Sequence, residues 1–112
     1  AGCSSQTRAL MAGGDSPANG TIVDTIEYIT IASLGDALDF GNLTDARSRL
    51  AGCSNSIRGV FACGRITDSP AADGNVIDYV TISSTGNATD FGDSLVTNDE
   101  RSGCSDSHGG ID

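Results

Sequence analysis

From Ile26 to Ile31 the chain alternates, with Ile26, Tyr28 and Thr30 on one side and Glu27, Ile29 and Ile31 on the other. That two-residue period predicts a β-strand. Both sides are largely apolar and rich in β-branched residues, so the strand is expected to lie between neighbouring sheets, with neither face in water. The runs Ala9 to Ala12 and Gly59 to Ala62 are short, apolar and followed by Gly13-Gly14 or Cys63-Gly64, which reads as buried strand ending in a turn. Ser, Gln and Asn at residues 4–6 and 54–56 are expected to supply local turn hydrogen bonds. No segment carries a sustained helical period with caps, and the chain is predicted to be all-β.

The pattern is written twice. Residues 26–42 recur as 77–93, with Tyr28 matched by Tyr79 and Phe40 by Phe91, each 51 positions on. The opening Ala1-Gly2-Cys3-Ser4 recurs as Ala51-Gly52-Cys53-Ser54, and a clipped third copy, Ser102-Gly103-Cys104-Ser105, ends the chain. A fixed period near 50 residues predicts stacked repeats, here about 1–50, 51–101 and a partial unit 102–112, within a single repeat domain. Each full repeat holds about four short strands, the content of one propeller blade. Between the apolar runs lie polar stretches, 15–24 and 65–75, expected to be variable loops at one rim. Asp15, Asn19, Asp68, Asp73 and Asn75 are the candidate binding residues there. Tyr28, Tyr79, Phe40, Phe91, Gly13, Gly14, Cys3, Cys53 and Cys104 are the candidate structural ones, with both phenylalanines expected to fill the space between repeats.

Composition removes several functions. The 112 residues hold 15 acidic and 6 basic side chains, all of the latter Arg, for a net charge of -9. Nucleic-acid binding is dominated by cationic contacts to phosphate, so this charge argues against it, and against an anionic membrane surface. No apolar run approaches the ~20 residues of a membrane-spanning helix. Residue 1 is Ala, as in a processed product or a piece of a longer chain.

The chemistry-bearing residues reduce to architecture. Cys3, Cys53 and Cys104 occupy one repeat position, where equivalent sites in successive repeats are expected to lie too far apart for a disulfide, so they are read as buried small hydrophobes. Cys63 stands where the first repeat has Gly13, and its pairing with another cysteine is left open. His108 is the only histidine, which leaves no zinc ligand set and no base for a Ser or Cys nucleophile. Asp-Phe-Gly at 39–41 and 90–92 lacks every companion of the kinase magnesium motif. Asp36, Asp39 and Asn42, or Asp73, Asn75 and Asp78, lack the tight alternation of a calcium loop and are read as solvated turn acids. Asn19, Asn42 and Asn87 match the glycosylation acceptor pattern, as Asn-rich turns do by chance. No catalysis, cofactor or metal is expected.

Ala12-Gly13-Gly14, the Tyr-bearing strand 26–31, Phe40 and the Arg47 return resemble a kelch-type propeller repeat, with Phe where Trp is usual and Cys63 replacing one Gly of the second pair. The wording of 77–82, 86–93 and 103–110 is similar to kelch-like repeats in tail-fibre and other virion appendage proteins of marine phages, cyanophages in particular. The resemblance covers nearly the whole chain. It implies a structural or host-recognising part of a virion, with a host-surface glycan or protein as the candidate ligand, as a homo-oligomer with a trimer favoured. Two blades cannot close a ring, whereas three chains of two blades give six, inside the usual range of about 4–8. A piece of a longer single-chain propeller, an open fibre built by donated strands, an extracellular bacterial adhesive or sugar-binding domain, and a spacer without ligand are the alternatives.

Overall fold

The computed structural model describes residues 1–18, 20–68 and 70–105. It is all-β, with two antiparallel four-stranded sheets whose strands follow one another in chain order. The first sheet holds β1 (Gly2–Ser4), β2 (Arg8–Ser16), β3 (Thr21–Thr30) and β4 (Leu38–Asn42); the second holds β5 (Ala51–Ser54), β6 (Arg58–Asp68), β7 (Ala71–Thr81) and β8 (Thr89–Asp93). Every strand of the first sheet has its counterpart in the second. The tight β1–β2 and β5–β6 turns use the side chains expected of them: Ser5 Oγ accepts from the Thr7 and Arg8 amides, and Asn55 Oδ1 from those of Ile57 and Arg58.

The registers repeat too, with the slips beside the core, while β6 and β7 carry one more, between Arg65 and Thr67, that has no counterpart in the first sheet. β2 and β3 slip between Ala12 and Gly14, and β6 and β7 slip between Ala62 and Gly64. In each sheet the extra residue lies on the partner strand: Gly13 stands alone opposite Asp24 and Thr25, and Cys63 alone opposite Asn75 and Val76, both in the left-handed region at φ 65° and 58°. At Gly13 a Cβ would strike the Arg47 carbonyl, so glycine is needed there for space as well as for conformation. Cys63 takes the same backbone shape with its side chain buried, and its thiol is free.

The sheets stack face to face. Leu10, Ala12, Ile26 and Phe40 of the first meet Phe61, Val80 and Ile82 of the second, and Leu43 and Leu50 from the connecting segment close the cluster. Polar contacts fasten the two ends of this interface. Gly86 and Ala88, in the β7–β8 connection, donate to the carbonyls of Phe40 and Asn42 at 2.8 Å each. At the other end Ser54 Oγ donates to the Ser4 carbonyl and accepts from the Ser4 amide. The approach there is close: a Cβ on Gly52 would lie 2.6 Å from the Gly2 carbonyl oxygen. Residues 102–104 rest on β5 in the same manner, with a Cβ on Gly103 falling 2.5 Å from the Gly52 carbonyl oxygen.

Two expectations need correction. The polar stretches 15–24 and 65–75 are largely strand, because the β2–β3 and β6–β7 ladders run on past the core to Ser16/Thr21 and Asp68/Ala71. Backbone pairing does not require apolar side chains, so both hairpins extend beyond the packed layer and only their tips turn. Burial on both faces also fails for each sheet. Asp78, Val80 and Ile82 are buried, but their counterparts Glu27, Ile29 and Ile31 are exposed, because the first sheet has a neighbour on one side only.

Candidate functional site

The β2–β3 and β6–β7 hairpins point the same way, and their tips lie side by side. Gly20, Thr21 and Ile22 of one and Ile66, Thr67 and Asp68 of the other line a shallow groove of about 410 Å³. Each tip comes from a different repeat, so stacking creates the groove.

Below the tips, Arg65 gathers acids. Its Nη2 meets Asp99 Oδ2 at 2.9 Å, with Asp68 and Asp73 carboxylates each 3.7 Å from other guanidinium nitrogens. Arg49 adds contacts to Glu100 at 3.1 Å and Asp99 at 3.8 Å. Asp73 and Asp68 thus neutralise a cation of their own chain, and Asp73 is set back from the tip. Asn75 faces inward: its carbonyl accepts from the Ser94 amide at 2.7 Å, and its Nδ2 lies 3.5 Å from the Ser94 carbonyl. Asp15 is exposed on β2, opposite Ile22 and next to the groove. Asn19 and His108 lie outside the described residues. Of the five candidate binding residues, the groove brings Asp15 and Asp68 to its edge, while Asp73 and Asn75 brace the hairpin beneath it.

The structural candidates fall into two sets. Phe40 is buried, edge-on to Tyr28 at 5.9 Å, with the Arg8 guanidinium 4.5 Å above the tyrosine ring. The second repeat rebuilds that trio from Phe91, Tyr79 and Arg58 at 6.0 and 4.5 Å. Yet Phe91 is 59% exposed, because no third sheet covers it, so the expectation that it fills a space between repeats holds only for Phe40. Gly13 stands opposite the bulge just described, and Gly14 resumes the pairing after it.

The cysteine column is more open than expected. Cys3 and Cys53 are half-buried and Cys104 is exposed. Burial, with a smaller contribution from the neighbouring Cys53 thiol, pushes the Cys3 pKa up to about 12. The thiolate is the reactive form, so below that pH Cys3 stays protonated and inert. Alkylation followed by mass spectrometry at mildly alkaline pH is expected to label exposed Cys104 first and to spare Cys3 until the pH approaches about 12. Fast labelling of Cys3 at pH 8 would contradict this burial.

The strongest polar feature corrects the reading of Asp78 as a solvated turn acid. Arg47, in the segment between the sheets, is wholly buried, and so is Asp78 on β7. Arg47 Nη2 donates to Asp78 Oδ2 at 2.5 Å, while Nη1 donates to the carbonyls of Cys63 and Val76 at 3.1 and 2.7 Å. Thr44 completes the site, giving its amide and hydroxyl to the Asp78 carboxylate at 3.1 and 2.6 Å. A signal did exist: position 27, one repeat earlier, is also acidic. Nothing local marks Arg47 as the partner.

Among the described residues, no group of three or more His, Cys, Asp or Glu side chains is placed to hold a metal ion. No family model matches the chain, and no curated protein matches it.

Proposed function

We propose that this chain is a structural and recognition module of a virion appendage, built of kelch-like blades that stack into a propeller-type ring and present their hairpin tips to a host surface. One observation carries the reading: two sheets of the same topology stack through a rigid interface and thereby set two hairpin tips from different repeats side by side around one groove. Binding residues are commonly carried on connections held by a rigid scaffold. The groove mixes Thr and Gly backbone with Ile66 and the Asp68 carboxylate, a lining suited to the hydroxyls and apolar faces of a neutral sugar or to a short uncharged peptide. Three copies closing a ring of six blades is the assembly that fits the two-sheet chain. The virion setting rests on the resemblance of the repeat wording to phage appendage proteins.

The test is attachment of the fluorescently labelled protein to intact cyanobacterial cells, with and without its tip side chains. Stripping the tips of their groove-lining side chains with Thr21→Ala, Ile66→Ser and Asp68→Ala is expected to abolish cell binding while leaving the circular dichroism spectrum unchanged. Undiminished binding by that variant would sink the recognition reading, and an intact protein that binds no cells would favour a spacer without ligand.

A further inference from the structure

The two outer faces of this molecule are the two halves of the interface that already exists inside it. In the internal interface the first sheet supplies its front face, with Leu10, Ala12, Ile26, Tyr28 and Phe40. The second sheet supplies its rear face, with Phe61, Asp78, Val80 and Ile82. Moved by one repeat, the front set becomes Val60, Ala62, Ile77, Tyr79 and Phe91, and the rear set becomes Met11, Glu27, Ile29 and Ile31. The first of these covers the open side of the second sheet, and the other the open side of the first.

We infer that the rear face of one copy docks on the front face of another, head to tail, reproducing between two molecules the part of the internal sheet-to-sheet interface made by β2, β3 and β4; the place of an incoming β1, on β5, is already taken by residues 102–104. This rests on the reading of the sheets as stacking blades, and it adds which surfaces meet and what each side chain does there. Both faces are apolar where they should be. Met11, Ile29 and Ile31 are 43%, 37% and 53% exposed on one, and Phe91, Leu95 and Val96 are 59%, 101% and 57% exposed on the other. An apolar cavity of about 220 Å³, lined by Val60, Ala62, Ile77 and Cys63 among others, opens on the front face. Inside the molecule the equivalent site, against Leu10, Ala12 and Ile26, is occupied by the fully buried Phe61. Met11 is the repeat counterpart of Phe61, and a flexible thioether side chain suits such a hollow.

The polar fasteners are duplicated as well. Arg8, held over Tyr28, donates to the Ile82 carbonyl at 2.9 Å across the internal interface. Arg58 is held over Tyr79 at the same 4.5 Å, aimed where the Ile31 carbonyl of an incoming copy would arrive. Gly35 is the counterpart of Gly86, whose amide reaches Phe40, and would present its amide to Phe91 in the same way. Two fasteners are missing: the Ser4–Ser54 contact has no copy, because residues 102–104 already rest on β5 where an incoming β1 would lie, and the buried ion pair has none either. Asn98 stands at the position of Arg47 and Glu27 at that of Asp78, so the contact between copies lacks the buried guanidinium. The intermolecular interface is therefore weaker than the internal one, and assembly depends on concentration.

Such a contact joins unlike patches, so it propagates into a ring or a filament and cannot stop at a symmetric pair. That property gives the test. In sedimentation velocity and native mass spectrometry the wild-type protein is expected to form concentration-dependent oligomers. Met11→Asp disables the rear face and Phe91→Asp the front face. Each is expected to raise the dissociation concentration about tenfold or more, the consequence of losing about 1.4 kcal/mol of binding. Mixed in equal amounts, the two variants are expected to form dimers and nothing larger, because one good face remains on each. A wild-type monomer at all concentrations, single variants that assemble like wild type, or a mixture that stays monomeric would each overturn the proposal. If circular dichroism shows either variant unfolded, Ile31→Asp and Leu95→Asp address the same two faces from more exposed positions. A monomer that still binds cells defeats this inference alone, whereas a ring that binds none defeats only the recognition reading.

Discussion

Asp78→Ala is expected to destabilise the fold by about 3–5 kcal/mol, the usual consequence of removing one partner from a buried ion pair. The carboxylate is the only counter-charge that touches the fully buried guanidinium of Arg47 among the described residues, and it also accepts from the Thr44 amide and hydroxyl. Its loss strands a cation in an apolar setting and leaves the Thr44 amide without its acceptor. Arg47 would keep its bonds to the Cys63 and Val76 carbonyls, which neutralise no charge. Urea unfolding monitored by circular dichroism gives the measurement, with Glu27→Ala as the control. Glu27 holds the same repeat position on an exposed face, and a surface substitution there should change stability by no more than about 0.5 kcal/mol. Equal losses from the two variants would mean that the pair does not hold the sheets together.

Phe40→Ala is expected to cost about 3–5 kcal/mol, as for a large aromatic side chain truncated in a packed core. Phe91→Ala removes the same atoms from the counterpart position, yet should cost only about 1 kcal/mol in dilute protein, since little of its apolar area is buried on folding. The contrast arises from stacking. Phe40 lies beneath the β7–β8 connection, whose Gly86 and Ala88 amides bond to strand β4, and Phe91 has no such lid. Stability measured well below the concentration of assembly separates folding from association. Similar losses at the two sites in the monomer would show that the sheets do not stack as described.

Much of the local structure was legible in the residues. Alternation from Ile26 to Ile31 predicts β3, and the repeat at 77–82 predicts β7, because side chains on a pleated strand face opposite ways and the pattern records both faces. Ser5 and Asn55 announce their turns because a short polar side chain can bond amides two or three residues on. The Gly pair marks where the register slips, at Gly13. Other features were invisible for equally physical reasons. The polar hairpin ends at Ser16 and Asp68 carry no apolar signal, since ladder hydrogen bonds hold the backbone whatever the side chains are. Among the groove residues, Asp15 and Asp68 could be picked out as exposed acids near a turn, whereas Asp73 and Asn75 could not be told from them until Arg65 and Ser94 were seen beside them.

By itself the sequence determined the period, the all-β character, the four strands in each repeat and the absence of helical pattern, because all of these depend on contacts within a repeat. Only the tertiary structure decided which face of each sheet is covered. It joined Arg47 to Asp78, brought two hairpin tips to one groove, and left Phe91 and Met11 bare while burying their twins Phe40 and Phe61. Near-identical residues, written twice in one chain, end in opposite environments because burial is set by the neighbour a face meets, and that neighbour lies a whole repeat away.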